Sequence, residues 1–206
     1  MAFRRGSGER PARRGTPSDL LVVGLGNPGK EYDRTRHNVG AEVVARLAAA
    51  RGASLKPGKE RALVAEVRIG EARVALAFPT TYMNESGDAV QRLVRRYGID
   101  DWSKLVVVHD ELDLPPGTVR VKAGGGLAGN NGLRSISQHL KTNDYLRVRI
   151  GIGKPPSKER GADHVLSRLG KRERELLDES IVVAGEAVEL IATDGVDAAM
   201  RATNGK

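Results

Sequence analysis

The sequence predicts an α/β fold: a single domain with a twisted mixed β-sheet flanked by α-helices. Three observations carry that prediction. Short apolar runs of strand length alternate with segments of helical periodicity, the signature of helices layered on a sheet. Two consecutive strand-like runs, 62–68 and 72–78, are hinged at Gly70 and imply an antiparallel pair, so the sheet is mixed. The chain has 206 residues, enough for one buried core and short for two domains.

The elements follow in order. Residues 1–18 are rich in Arg, Gly and Pro and nearly lack apolar side chains, so they are expected to form a disordered basic tail ahead of a domain spanning 19–206. Leu20-Leu-Val-Val-Gly24 reads as a short buried strand. Val43, Val44, Leu47 and Ala48 repeat at helical spacing and place a helix over about 39–51. The strand pair 62–68 and 72–78 comes next, and then Ala89, Val90, Leu93, Val94 and Tyr97 give a helix stopped by Gly98. Leu105–Val108 is another buried strand, followed by the turn Leu114-Pro-Pro-Gly117 and a short strand over Thr118–Lys122. The cluster Gly124-Gly-Gly126 leads into a helix carrying Leu133, Ile136 and Leu140, and Tyr145–Ile150 alternates as a strand. The 151–160 segment, rich in Gly, Pro and Lys, is expected as a surface loop and a candidate lid. Leu177, Ile181, Ala184, Val188 and Ile191 mark a long helix ending before Gly195.

Composition narrows the function. Aromatics supply only 3% of residues, so the core must be aliphatic. The chain has no cysteine, which excludes disulfides, thiol nucleophiles and cysteine-ligated metal centres. No apolar run approaches the roughly 18 residues of a membrane span, and the arginines at the start precede no apolar stretch. A soluble, cytoplasmic protein is expected, and a monomer. The formal charge is +8, and residues 1–18, with five arginines against Glu9, hold half of it. A basic body with a basic tail points to a polyanionic partner such as nucleic acid, unless the arginine merely reflects genome composition.

Gly24-Leu-Gly26-Asn-Pro-Gly29 spells a dinucleotide-binding fingerprint after a strand. That site needs a helix to start at the turn. Pro28 sits inside it, 30–36 has no apolar stripe, and the first helix begins about ten residues too late. A nicotinamide cofactor is therefore not expected. The four histidines (His37, His109, His139, His164) lack metal-ligand spacing, so a metal site is not expected either. His37 lies in a polar loop, and its unperturbed pKa of about 6.5 suits a general base; alternatively it simply faces solvent. His109 and His139 read as structural. Asp110 follows a buried strand in His109-Asp-Glu-Leu-Asp113, beyond the strand end where α/β sites gather. It could orient His37 as the acid of a hydrolytic triad does, or belong to a solvated acidic loop. Asn27 ends the first strand. Asn84 and Asn131 stand at helix starts, where they could cap the helix or hold a substrate carbonyl.

These pieces occur together and in order: Gly24-Leu-Gly-Asn27-Pro-Gly29, Glu31-Tyr32, Thr35-Arg-His37-Asn38, Pro79-Thr-Thr-Tyr-Met83-Asn84, His109-Asp110-Glu-Leu-Asp-Leu-Pro-Pro-Gly117, Lys122-Ala-Gly-Gly-Gly126, Asn131-Gly-Leu133 and Arg147-Val-Arg149-Ile-Gly-Ile-Gly153. The set closely resembles bacterial-type peptidyl-tRNA hydrolase, over about Leu20 to Asn204. The resemblance implies metal-independent hydrolysis, with no cofactor, of the ester between a peptide and the 3′ end of tRNA, recycling tRNA from prematurely released peptidyl-tRNA. It implies His37 as the base and Asp110 as the acid that positions it. Asn27 and Asn84 match the amides holding the ester region, and Asn131 an intermediate-stabilising asparagine. Tyr32 and Met83 match cleft residues, while Lys122 and Arg149 match a clamp on the tRNA 5′-phosphate. Two features depart from the family. Asn130 stands where relatives commonly have histidine, which puts a protonated contact to tRNA in doubt, and an Arg-rich arm precedes the domain. A non-catalytic RNA-binding protein on the same fold is the alternative.

Overall fold

In the computed structural model, which describes residues 17–155 and 157–205, Leu20–Gly24 becomes the middle strand because all five of its residues are buried. Both faces of this strand meet apolar layers, so it reads as a continuous apolar run rather than an alternation. The described chain runs β1 (Leu20–Gly24), α1 (Val39–Ala49), β2 (Lys56–Pro57), β3 (Ala62–Ile69), β4 (Ala72–Pro79) and α2 (Ser86–Tyr97). It continues with β5 (Leu105–Glu111), β6 (Val119–Ala123), α3 (Asn131–Leu140), β7 (Leu146–Gly151), α4 (Gly161–Leu166), α5 (Lys171–Asp194) and α6 (Val196–Asn204).

The seven strands form one sheet in the order β2-β3-β4-β1-β5-β7-β6. Four of them, β4, β1, β5 and β7, run parallel, with Val22 opposite both Leu76 and Val106. β2, β3 and β6 are antiparallel to their neighbours, and the expected β3–β4 hairpin pairs from Ala62↔Pro79 to Ile69↔Ala72. α1, α5 and α6 cover one face through Val43, Val44, Leu47, Ile181, Val188 and Ala199. α2 and α3 cover the other through Val90, Leu93, Leu133 and Ile136. The fold is thus a single α/β domain with a mixed sheet between helical layers.

Differences from the expected elements have local causes. The expected tail lies outside the described residues except for Pro17 and Ser18, and the Ser18 backbone N–H already donates to Tyr97 O at 3.1 Å. β5 extends through His109, Asp110 and Glu111, which are polar yet buried; this corrects the reading of that acidic segment as a loop. α5 begins six residues before its first apolar periodic residue, in the charged turn Lys171-Arg-Glu-Arg-Glu175. α4 was not expected: it is six residues long and buries none of its side chains, so it leaves no apolar period to read. α6, also unexpected, buries only Ala199 and Thr203. Its Asn204 instead covers the outer edge of the sheet, accepting from Val121 N (2.8 Å) and donating to Val121 O (2.9 Å). Gly98 ends α2 as expected, in the left-handed conformation at φ 64°.

Candidate active site

Two glycines bring the polar residues together. A Cβ on Gly24 would stand 2.1 Å from Gly40 O, and one on Gly40 would stand 2.2 Å from Val108 O. Only glycines at both positions let the start of α1 lie directly across the ends of β1 and β5. The glycine-rich turn after β1 therefore serves close packing. No helix starts there; single turns of 3-10 helix at Lys30–Tyr32 and Arg36–Asn38 fill the gap before Val39.

The second of these turns carries His37. Its Nδ1 lies 2.9 Å from Asp110 Oδ2, at the carboxyl end of β5. Asp110 as carboxylate only accepts, so His37 donates from Nδ1 and keeps the Nε2 lone pair. The pair is nearly closed to solvent, with side chains 12% and 3% exposed. Burial alone pushes the His37 pKa down; the Asp110 charge and hydrogen bond outweigh it and raise it above its usual 6.5. His37 and Asp110 line a cavity of about 240 Å³ with Glu111, Leu112, Ala128, Gly129, Asn130, Asn131, Gly161, Ala162 and Val165. One wall is α4. Its place is set by Arg36, buried beside His37, which donates to His164 O (3.0 Å), Ser167 Oγ (2.7 Å) and the Glu173 carboxylate (3.0 Å).

The asparagines divide into two groups. Asn27 is buried and its Oδ1 accepts from Met83 N at 2.8 Å, which leaves its Nδ2 as the free end of the amide. Asn38 grips both backbone groups of Asn27, accepting from its N–H (2.8 Å) and donating to its carbonyl (2.9 Å). Asn84 follows Met83 on the Met83–Glu85 turn and is exposed. It does not cap α2, whose N-cap is Glu85. Nor does Asn131 cap α3. The cap is Asn130, whose Oδ1 accepts from Gly132 N (2.9 Å) and Leu133 N (3.1 Å); Asn131 lies one residue further on, exposed, at the cavity. Met83 packs on this same turn, because a Cβ on Gly132 would stand 2.6 Å from its Sδ. Tyr32 meets Tyr82 edge-to-face with ring centroids 6.5 Å apart.

Lys122 and Arg149 sit on β6 and β7, on the opposite face of the sheet from Val121 and Val148. Arg149 Nε pairs with Glu111 at 3.0 Å, and Lys122 is exposed with no ion-pair partner among the described residues. Between them and α3, Arg147 is buried and donates to the carbonyls of Gly125 (2.7 Å), Gly126 and Asn143, fixing the glycine loop. His109 and His139 are structural as expected. His109 donates from Nδ1 to Asp110 O at 2.7 Å, and burial pushes its pKa down. His139 lies 2.9 Å from Ser135 O.

The structure thus joins His37, Asp110 and Asn131 around one cavity, links Asn27 to Met83, and places Lys122 on the edge strand β6 and Arg149 on the neighbouring β7, where it holds the cavity carboxylate Glu111. Asn38, Arg36, Glu111 and Asn130 were not singled out as supporting residues. Asn130 carried a legible signal, since it stands directly before the apolar period of α3, where a cap belongs. Among the described residues no group of three His, Asp or Glu side chains could hold a metal ion, and no helix is long and apolar enough to cross a membrane.

The chain is similar to known proteins over most of its length. The Peptidyl-tRNA hydrolase family profile matches residues 21–206. A peptidyl-tRNA hydrolase of Kineococcus radiotolerans is 49% identical over 188 residues, covering 88% of this chain and 94% of the relative. One from Pseudarthrobacter chlorophenolicus is 50% identical over 183 residues, covering 88% and 93%. The crystal structure of peptidyl-tRNA hydrolase from Acinetobacter baumannii superposes with a TM-score of 0.86 at 42% identity, over 92% of this chain and 97% of that one.

Proposed function

This chain belongs to the peptidyl-tRNA hydrolase family and is a hydrolase, and from that premise we propose how its residues divide the reaction. His37 is the general base. A water in the cavity gives its proton to Nε2 and its oxygen attacks the ester carbonyl that joins the peptide to the 3′ oxygen of tRNA. The negative charge gathers on the former carbonyl oxygen, where amide donors from Asn27, Asn84 and Asn131 stabilise it. Collapse breaks the bond to the 3′ oxygen, which takes the proton back from His37 and leaves as the tRNA hydroxyl. The peptide is released as its carboxylic acid, which gives its proton to solvent and departs as the carboxylate. Asp110 holds His37 in the tautomer that this sequence requires and stabilises the imidazolium that forms between the two proton transfers.

The 2.9 Å contact between His37 Nδ1 and Asp110, at the edge of an open cavity, is the observation that carries the reading. A base whose pKa the Asp110 carboxylate raises above the usual 6.5 suits this work. Tyr32 and Met83 border the ester region. Lys122 and Arg149 hold the 5′-phosphate of the acceptor end, a contact that positions tRNA without reading its sequence. No step passes through a metal, and enzyme treated with chelator is expected to keep its rate. The reading extends to a cytoplasmic monomer that recycles tRNA.

The test is release of tRNA from N-acetyl-aminoacyl-tRNA, beside unblocked aminoacyl-tRNA, by the wild type and by His37→Ala. Cleavage of the blocked substrate that is lost in the variant supports the assignment. Appreciable turnover by His37→Ala removes His37 from the base role. Tight tRNA binding without cleavage by the wild type favours the RNA-binding alternative.

A further inference from the structure

Position 130 differs from the residue that relatives commonly carry, and here it does two jobs at once. The Asn130 Oδ1 accepts from two N–H groups of the first turn of α3, those of Gly132 and Leu133. That fixes which end of the amide is nitrogen. Nδ2 is left to donate to Asp110 Oδ1 at 3.3 Å, while Asp110 Oδ2 holds His37. Each carboxylate oxygen of Asp110 therefore has its own partner, and the plane of the carboxylate is set by two residues from different elements.

We propose that Asn130 is a positioning residue: its amide nitrogen holds the Asp110 carboxylate, and through it the His37 ring, while its oxygen holds the α3 turn that presents Asn131. The inference rests on the roles given above to His37, Asp110 and Asn131. A single side chain then sets the base and an oxyanion donor in register with each other. A carboxylate that donates no charge to a second partner concentrates it on the imidazole. Losing the Asn130 donor should therefore make His37 more basic.

Other charges around His37 are accounted for. Arg36 beside it is held by Glu173. Glu111, the other carboxylate at the cavity, is held by Arg149. On α4, His164 lies within hydrogen-bond reach of the Ile152 and Gly153 carbonyls, and Asp163 is exposed to solvent. Asn131 on α3 carries no charge.

Two variants separate positioning from capping. Serine and aspartate both cap helices well, so Asn130→Ser keeps the cap with a side chain too short to carry a donor to Asp110, and Asn130→Asp keeps the cap and sets a second carboxylate against Asp110. The measurement is an NMR titration of His37 in the full chain, together with the pH profile of kcat and KM on N-acetyl-aminoacyl-tRNA and a thermal melt. The His37 pKa is expected to rise from wild type to Asn130→Ser and again to Asn130→Asp. The acid limb of kcat should move to higher pH in the same order. At neutral pH kcat should fall about tenfold in Asn130→Ser, the scale of one hydrogen bond to a charged group, with KM unchanged. If both variants titrate and turn over like the wild type, or only melt earlier, Asn130 is a helix cap and the proposal is overturned. The titration uses no substrate. A wild type that leaves the ester intact while the pKa series holds therefore overturns the functional reading and still supports the coupling.

Discussion

Replacing Asp110 by asparagine tests the centre of the site with little change in shape. The His37–Asp110 contact is 2.9 Å long and nearly closed to solvent. Solvent screening that makes exposed ion pairs weak therefore does not apply in full. In the proposed mechanism His37 takes a proton from water and becomes a cation facing this carboxylate, and a hydrogen bond to a charged group contributes ~1.5–3 kcal/mol. At about 1.4 kcal/mol per tenfold, loss of the charge lowers kcat about ten- to a hundredfold. The amide adds a second fault. Its NH₂ can turn toward Nδ1, which drives the imidazole proton to Nε2, where the lone pair is needed. A reversed tautomer brings the total toward about 10⁴-fold.

The same variant has a signature in stability. In the folded protein the His37 pKa lies above its ordinary 6.5. A group whose pKa is raised by folding binds protons more tightly in the folded state. Its contribution is fully present below 6.5 and is lost as pH rises through the folded value. Asp110→Asn removes what raises the pKa and leaves burial, which lowers it. Its destabilisation by urea titration should be larger at about pH 5 than at about pH 8. The assay is kcat on N-acetyl-aminoacyl-tRNA, paired with the two titrations. A kcat indistinguishable from wild type, or a destabilisation that grows with pH, would refute the reasoning.

Three further outcomes follow from single contacts. Gly40→Ala would set a methyl group 2.2 Å from Val108 O and 2.6 Å from Leu25 N, both backbone; it should cost at least about 1–3 kcal/mol in a urea titration and lower kcat by moving His37 off β5. Asn204→Ala removes two hydrogen bonds from the edge of β6, which should cost ~0.5–1.5 kcal/mol for each with kcat unchanged; a loss of kcat at full stability would contradict its purely structural place. For the phosphate clamp, Lys122→Ala is the clean variant, because Arg149→Ala would also strand the buried Glu111 carboxylate. Lys122→Ala should reduce the slope of log kcat/KM against log salt by about one and spare a minimal aminoacyl-nucleotide ester; equal harm to both substrates would remove Lys122 from the clamp.

Most of the layered fold was legible because its elements carry their own periods. Leu20–Gly24 is apolar throughout since both its faces are covered, and α2 shows its stripe from Ala89 to Tyr97. α4 was not legible, because its six residues bury nothing and it is held by Arg36 from a turn about 130 residues away. The end of β5 was misplaced for a related reason. Asp110 and Glu111 look like a solvated loop, and only the three-dimensional partners His37 and Arg149 explain how two carboxylates can be buried there. The candidate site residues stand out in the sequence as a set of motifs. Their supports were less so: Asn130 could be read only as a helix cap, and its bond to Asp110, like the grip of Asn38 on the Asn27 backbone, leaves no pattern along the chain.

The supports show why the motifs must occur together. Starting at His37, the contacts pass to Asp110, to Asn130, and into the first turn of α3. Gly132 on that turn lies against Met83, the Met83 N–H donates to Asn27, and Asn27 is gripped by Asn38, the neighbour of His37. The ring closes. It passes through β5, α3, the turn after β4, the turn after β1 and the start of α1, five segments from distant parts of the sequence. One of its joints requires glycine: at Gly40 a Cβ would meet the backbone of Val108 and Leu25, and a side chain there would push the start of α1 away and open the ring. At Gly132 a Cβ would crowd the Met83 and Leu25 side chains. A dinucleotide site uses its glycines to let a pyrophosphate approach the backbone. This fold uses them to let pieces of itself approach, so that His37, Asp110 and the Asn27 amide are held from several directions before any substrate arrives. Rigid placement of that kind is what an oxyanion site needs, because donors that must reorganise during the reaction stabilise its charge less.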